Sequence, residues 1–514
     1  MKPETRGRGG TEAQKAPGAR RASVPLCLCA SVFLAACAVG PSYRPADVVP
    51  AATQVGVSRR PDSTQQFFDS LAAARAADTT RPIAARLPPP RRLTPDSVAD
   101  LAWVDLLRDS TLTRLVGIAL RQNRDVESAR ARIAEYRAEA GVAFAPLFPS
   151  VVLNGSDSRN KVALGSFAIP PYTAYRATAD LAWELDFWGQ TRRGIEAANA
   201  DVASQEAAER ATVLSLVSGV ATAYLQLLEL DQEHAIAEQT LSSRQVTLGL
   251  ARQRFARGLI SELDVRQFEA QVAVPAARLA QVEQLRSQQE HALNVLLGEG
   301  PGPIARGRSL AAAARAVVVP DSVASSLLVR RPDVESAERA YAAATARIGI
   351  ADAARLPSFS ITGSWGMQSP TAGGMFASPN RVYELLGGIS IPIFTGGRLA
   401  NEAQAARARA EQARARYEQT LLVALGEAGD ALAEVRAARD VTAAQETQAT
   451  ALRRALELAE LRYSTGVSNY LEVLDAERSL FDAELAASQA ELQQVTAAVR
   501  LYKALGGSWP GTGR

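Results

Sequence analysis

"RDVESARARIAEYRAEAGVAFAPLFPSVVLNGS" at Arg124–Ser156 and "PDVESAERAYAAATARIGIADAARLPSFSITGS" at Pro332–Ser364 share the word DVESA, and they align without a gap at an offset of 208 positions. In a chain of 514 residues that offset is not far from half the length. Self-similarity at such an interval points to one architecture made from two copies rather than several unrelated domains.

Each copy reads as a helix that runs into a strand. Upstream of the first DVESA, Leu112, Leu115, Val116 and Ala119 recur at helical spacing, and one helical pattern extends to the prolines at 146 and 149. In the second copy Pro332 suits a first helical position and Pro357 matches Pro149. After those prolines Val151 and Leu153, then Phe359 and Ile361, alternate with small or polar residues. The return strands alternate too. Tyr175, Ala177, Ala179, Leu181, Trp183, Leu185 and Phe187 share one face in the first copy; Tyr383, Leu385, Ile389, Ile391 and Ile393 share one in the second. Between them, "IPPY" and "SPTAGG" suit exposed turns. A soluble sandwich would alternate as well, but four strands enclose no core of their own.

Beyond each hairpin comes the longest helical pattern of its copy, about Thr191–Ala256 and Leu399–Thr465. About 65 residues at ~1.5 Å each make a rod of roughly 100 Å. Their Ala, Glu, Gln and Arg content suits closely approaching coiled-coil helices. Each rod meets a sharp turn, "RFARGLISELDV" at Arg254–Val265 and "RYSTGVSNYLEV" at Arg462–Val473. Gly258 and Gly466 fit the left-handed residue past a helix end, and Ser261 and Asn469 fit the next N-cap. Asp264 and Glu472, three residues on, fit capping boxes. The helices after the turns are too short to flank the rods alone, so the DVESA helices are expected to stack on their far ends. Pro275 interrupts one of them, where its counterpart is Ala483, and is expected to bend it.

The N-terminus reads as targeting. Arg20 and Arg21 precede an apolar run, Ala22–Ala36, too short to span a membrane comfortably, and "FLAAC" places Cys37 after small residues. This resembles a signal peptide ending in a lipobox, with Cys37 as the lipidated first residue. The segment 1–36 also carries Cys27 and Cys29, so the mature chain keeps one of three cysteines and forms no internal disulfide. It holds six of the 57 Lys/Arg and two of the 54 Asp/Glu; removal leaves 51 against 52, which argues against a nucleic-acid partner. Residues 38–100, rich in Pro, Arg, Ala and Ser, read as an extended, poorly packed arm. The two histidines, His234 and His291, sit on helices as surface or packing residues. No metal cluster, cofactor loop or catalytic constellation is legible, so no enzyme and no cofactor is expected.

No later run approaches the ~18 apolar residues of a transmembrane helix. A membrane crossing would therefore use β-strands, and four of them cannot close: an open edge in lipid leaves backbone groups unpaired. Three chains would supply twelve strands, a barrel wide enough for a lumen, whereas eight strands are usually filled by side chains. The expected fold class is an α+β membrane protein with a two-fold internal repeat. Each repeat contributes one β-hairpin and long coiled-coil helices to a trimer with a 12-stranded barrel and a periplasmic α-helical tunnel.

"CAVGPSYRP", "WELDFWGQTRRGIEAANA", "LLVRRPDVESAERAYAAATARIGIADAARLPSFSITGS", "IPIFTGGRL" and "RYSTGVSNYLEVLDAE" resemble the TolC-type outer-membrane efflux proteins, in the lipoprotein branch named after the nodulation protein NodT. The resemblance runs from Cys37 to Trp509, apart from an enlarged arm at 58–95. It implies an outer-membrane exit duct of a homotrimer, anchored in outer-membrane lipid of a Gram-negative type cell. The duct would join a periplasmic adaptor (membrane fusion protein) and an inner-membrane pump of the resistance-nodulation-division (RND) type. A type I secretion channel and a surface-tethered coiled-coil scaffold are the alternatives. The chain then divides into a signal peptide (1–36), a lipidated arm (37–100), a first repeat (101–300, hairpin about 149–188, turn 257–261), a linker (301–320), a second repeat (321–506, hairpin about 357–394, turn 465–469) and a tail (507–514).

The resemblance also assigns roles. Glu472 and Asp475, three apart on one helix face, match carboxylates lining the closed periplasmic entrance, and rings of them would attract cations. Asp264 matches a residue of the lock that holds the tip closed and is expected to bond Tyr463, while Ser468 stands where a family member has a basic partner. The turns at Gly258, Leu259, Gly466 and Val467 are the expected adaptor contacts, with the glycines serving equally as helix stops.

Overall fold

A computed structural model of the chain describes residues 38–43, 54–55, 109–161, 163–164, 167–168, 170–316, 323–324 and 330–507. The signal peptide, Cys37, most of the arm and the tail from 508 lie outside them. The chain divides into two units: residues 1–40, 146–193 and 349–396 form one, and 41–145, 194–348 and 397–514 the other.

In the first unit, β1 (Ser150–Asn160), β2 (Tyr172–Leu185), β3 (Ser358–Ser369) and β4 (Arg381–Ser390) make one antiparallel sheet in chain order. The two hairpins are seamed to each other, because Tyr175 opposes Ser369 and Leu185 opposes Phe359 across β2 and β3. Paired residues of an antiparallel ladder share a face. Leu153, Ala179, Trp365 and Tyr383 therefore form one apolar row, and Val151, Leu181, Gly363 and Leu385 the next. Among the described residues nothing covers the outer part of these rows: Leu153, Tyr383 and Leu385 are 83%, 86% and 76% exposed. The other face carries Asn154, Arg176, Asp180, Ser364 and Glu384, with Asn154 Nδ2 donating to Asp180 at 2.7 Å and Arg176 to Ser364 at 3.1 Å. β1 and β4 are the two edges. The alternation had suggested Ile391 and Ile393 as strand residues, but β4 stops at Ser390, since Pro392 offers no N–H to a ladder.

The start of the arm is docked, unlike the poorly packed reading. Val39 N donates to Trp188 O at 3.0 Å and Arg193 Nη2 to Gly40 O at 3.0 Å. A Cβ on Gly40, whose φ is +104°, would meet Gly349 Cα at 2.5 Å, so this crossing requires glycine. Composition averages over a segment and misses such local fits.

In the second unit, α1 (Ser110–Gln122) and α2 (Arg124–Phe144) replace the single helix expected, because Asn123 adopts an extended conformation (ψ 131°). Its Oδ1 caps α2 by accepting from Asp125 N at 2.9 Å, and its Nδ2 donates to Leu296 O at 3.1 Å. That bond joins the break to the end of α4 (Glu262–Leu297), which follows α3 (Gln190–Ala256). α5 (Leu310–Ala316), α6 (Pro332–Ala353), α7 (Arg398–Ser464) and α8 (Tyr470–Ala504) complete the described helices. α3 and α7 are 67 residues each, the long rods of the two copies. Tyr43 docks here, donating to Glu338 at 2.8 Å and meeting Tyr341 edge-on.

The main core forms where α1 and the C-terminal ends of α4 and α8 meet the middle of α3 and α7, around Leu112, Tyr224, Leu293, Leu432 and Leu501. One 18-residue window of α3 has a mean hydropathy of 1.6, but 56% of it is buried, as suits core packing. Along α7 the buried positions are largely alanines, among them Ala403, Ala406, Ala410, Ala424 and Ala428, which let helices approach closely.

Candidate functional site: the paired helix-hairpin turns

The two turns have the same backbone. α3 ends in a Schellman-type closure in which Leu259 N donates to Arg254 O at 3.0 Å, and α7 repeats it with Val467 N to Arg462 O at 2.9 Å. Gly258 and Gly466 supply the left-handed residue, at φ +70° and +77°. Leu259 and Val467 project beside them, each 68% exposed. Two apolar side chains so exposed at chain reversals gain little from folding and leave most of their surface open to contact.

Behind the turns, Leu248, Ala251, Val265 and Phe268 form a small core of their own, with Tyr470 packed against it. Phe268 on α4 lies 4.0 Å from Tyr470 on α8, centroid to centroid, and Tyr470 lies 5.3 Å from Tyr463 on α7. Arg254 on α3 completes the chain, donating to the Tyr463 hydroxyl at 2.7 Å with its guanidinium over the ring. Burial pushes the Tyr470 phenol far above its ordinary range. Four side chains from four helices thus tie one turn to the other.

The expected bond between Asp264 and Tyr463 is not made within the chain. Asp264 Oδ2 accepts from Ser261 N and Ser261 Oγ, each at 2.8 Å, and Ser261 Oγ accepts from Asp264 N, a complete capping box. The backbone N–H three residues away outcompetes a partner on another helix. At the second turn the reverse happens. Asn469 makes no side-chain cap, and Glu472 instead accepts from Arg462 Nε at 3.3 Å, where a full positive charge is on offer. Asp475 accepts from Arg478 at 3.2 Å. Both carboxylates are well exposed, with an arginine of the same chain beside each. Ser468 Oγ is buried without a hydrogen-bond partner among the described residues. His234 lies 3.8 Å from both Glu238 and Glu283. Among the described residues no group of three such side chains could hold a metal.

The model of the family described as "Outer membrane efflux protein" matches residues 115–299 and again 323–507, two segments offset by the same 208 positions as the sequence repeat. This chain belongs to the outer membrane efflux protein family. Among curated relatives, the toluene efflux pump outer membrane protein TtgC of Pseudomonas putida is 36% identical over 442 residues, 83% of this chain and 90% of the relative. The probable outer membrane lipoprotein SilC of Salmonella typhimurium is 30% identical over 419 residues, covering 81% and 90%. Among solved structures, the open state of the Neisseria gonorrhoeae MtrE outer membrane channel superposes with a TM-score of 0.75 at 29% identity, covering 92% of this chain and 98% of that one. This outer membrane efflux protein is accordingly an exit channel for efflux, located in the outer membrane, with an α+β fold of duplicated hairpins and long helices.

In this outer membrane efflux protein the sequence reading named Tyr463, Asp264, Glu472 and Asp475 but missed Arg254, Phe268, Tyr470, Arg462 and Arg478. The signal for Arg478 was available, since it stands three residues after Asp475 on a helix. Nothing in the sequence pairs Arg254 with Tyr463 on a helix 209 positions away.

Proposed function

We propose that three copies of this chain close into one duct, which passively conducts small molecules that an inner-membrane RND pump delivers through a periplasmic adaptor. The observation that carries this reading is the four-stranded sheet whose two edges are unpaired and whose apolar face is uncovered among the described residues. In lipid such edges must pair, and joining β4 of one copy to β1 of the next around a three-fold axis satisfies them all. The apolar rows then face lipid, and the face that carries Asn154, Asp180 and Glu384 faces the lumen.

In this reading the paired turns are the pump-side end. Leu259 and Val467, set out by Gly258 and Gly466, meet the adaptor; Glu472 and Asp475 line the entrance; Tyr463 and Asp264 support it, one through Arg254 and the other by fixing the start of α4. Cys37 carries the lipid, which agrees with its lipobox and with the lipoprotein named among the relatives. The duct performs no reaction, and its energy comes from the pump.

Size-exclusion chromatography with light scattering tests the closure. The detergent-solubilised protein is expected to be a trimer, and separated monomers to aggregate through their edges. A stable, monodisperse monomer would overturn the proposal.

A further inference from the structure

Pro275 lies buried inside α4. A proline there lacks the N–H that the carbonyl four residues earlier requires, and such a break costs a helix about 3 kcal/mol or more. α4 nevertheless runs without interruption from Glu262 to Leu297. The carbonyl left over is that of Gln271, and it is occupied: Arg244 Nη1 reaches across from α3 and donates to it at 2.9 Å.

Arg244 is only 3% exposed, and it faces a third helix as well. Its Nε stands 3.9 Å from Glu477 Oε2 on α8, and its guanidinium lies over the Phe481 ring at 5.6 Å, also on α8. Burial acts against both charges, lowering the pKa of Arg244 and raising that of Glu477, while their attraction opposes each shift. Among the described residues Arg244 Nε and Nη2 and Glu477 Oε2 have no hydrogen-bond partner, and a cavity of about 200 Å³ opens beside them, lined in part by Thr240, Ser243 and Glu484. The Gln271 carbonyl is therefore the acceptor that holds this guanidinium.

The internal repeat supplies a control. At the 208-residue offset Arg244 corresponds to Leu452 and Pro275 to Ala483. The second copy has neither the break nor the cation, which is what a functional link between them requires.

We propose that Arg244 is a latch: it replaces the hydrogen bond that Pro275 removes from α4 and, by facing Glu477 and Phe481, couples that broken turn to α8. α8 is the helix that carries Glu472 and Asp475, so the latch restrains the pump-side end; this consequence alone rests on the duct reading. Released, the guanidinium has the adjoining cavity to move into, and α4 regains the freedom to bend that its proline confers.

A double-mutant cycle tests it in the full-length detergent-solubilised protein, read by hydrogen–deuterium exchange over residues 268–280 and by single-channel gating in planar bilayers. Arg244→Met is expected to raise exchange in that segment on the order of tenfold, as loss of a buried bond from a charged donor should. In a Pro275→Ala background the alanine N–H serves Gln271, and the same arginine change should alter exchange by less than about twofold. Equal increases in both backgrounds, or none in either, would overturn the latch. If Arg244→Met alone does not assemble, assembly should return with Pro275→Ala, and failure to return would also overturn it. The expected exchange pattern with a longer open dwell time supports coupling to the entrance; the same pattern with unchanged gating leaves the α4 cap standing and overturns the coupling.

Discussion

Replacing Glu472 by Gln and Asp475 by Asn together is expected to drive the proposed entrance toward anion preference rather than merely to neutralise it. Bare rings of carboxylates would favour cations, but Arg462 lies 3.3 Å from Glu472 and Arg478 lies 3.2 Å from Asp475. The four positions are thus close to charge-balanced, and wild-type cation preference should be weaker than the carboxylates alone imply. Exposed pairs of this kind contribute about 0–1 kcal/mol each, so the double variant should fold and assemble with little change in thermal midpoint. The local charge changes by far more. Each chain loses two negative charges, a trimer loses six, and Arg462 and Arg478 are left without partners. The assay is the reversal potential of single channels across a tenfold salt gradient, for which ideal selectivity corresponds to ~59 mV. The shift toward the anion limit should be clear near 0.1 M salt, where the screening length is about 10 Å, and small at 1 M, where it is about 3 Å. Block by multivalent cations should weaken in parallel, and Arg462→Gln with Arg478→Gln should move the potential the opposite way. Unchanged potential and block in a correctly assembled double variant would refute the reasoning, because these side chains would then point away from the conduction path.

Cys37→Ser should abolish incorporation of labelled fatty acid yet leave much of the protein in the outer-membrane fraction, since one lipid anchor holds more weakly than a spanning barrel; full release into the soluble fraction would contradict the barrel. Leu259→Trp and Val467→Trp should reduce crosslinking to the adaptor while the trimer persists, and undiminished crosslinking with normal export would count against the turns as the contact. Glu229 on α3 offers a pH test. Burial first, and the neighbouring Glu233 carboxylate second, push it up to about 7, against weaker lowering by a bond from Ser488 and by Arg278. Its folded pKa lies above its unfolded value, so the folded state holds the proton more tightly and stability falls as pH rises from about 4.5 to about 7. Glu229→Gln should therefore stabilise the folded chain at pH 8 by at most about 3 kcal/mol, read as a higher thermal midpoint, and change it little at pH 5; equal effects at both would show that Glu229 ionises normally.

The sequence by itself determined the elements and their duplication. Turn chemistry and period are local properties: Gly258 and Gly466 stop helices because of their own φ, and Tyr175 to Leu185 share a face because strand side chains alternate, whatever the rest of the chain does. The offset of 208 carried the architecture in the same way, as a property of the string. What only the tertiary structure decided were choices among competing partners. Asn123 splits one helical pattern into two because a carbonyl at the end of α4 is there to receive its amide, and Gly40 matters because Gly349 crosses it. Asp264 and Glu472 stand at equivalent positions of the repeat, and the sequence assigned both to capping boxes. One closes its box and the other turns to Arg462, because a side-chain oxygen takes the strongest donor in reach, and which donors are in reach depends on distances between chain segments that no local pattern encodes. Pro275 shows the division most directly: its missing N–H was legible from the sequence, but the arginine that answers for it, 31 positions earlier and on another helix, became visible only once α3 and α4 were packed together.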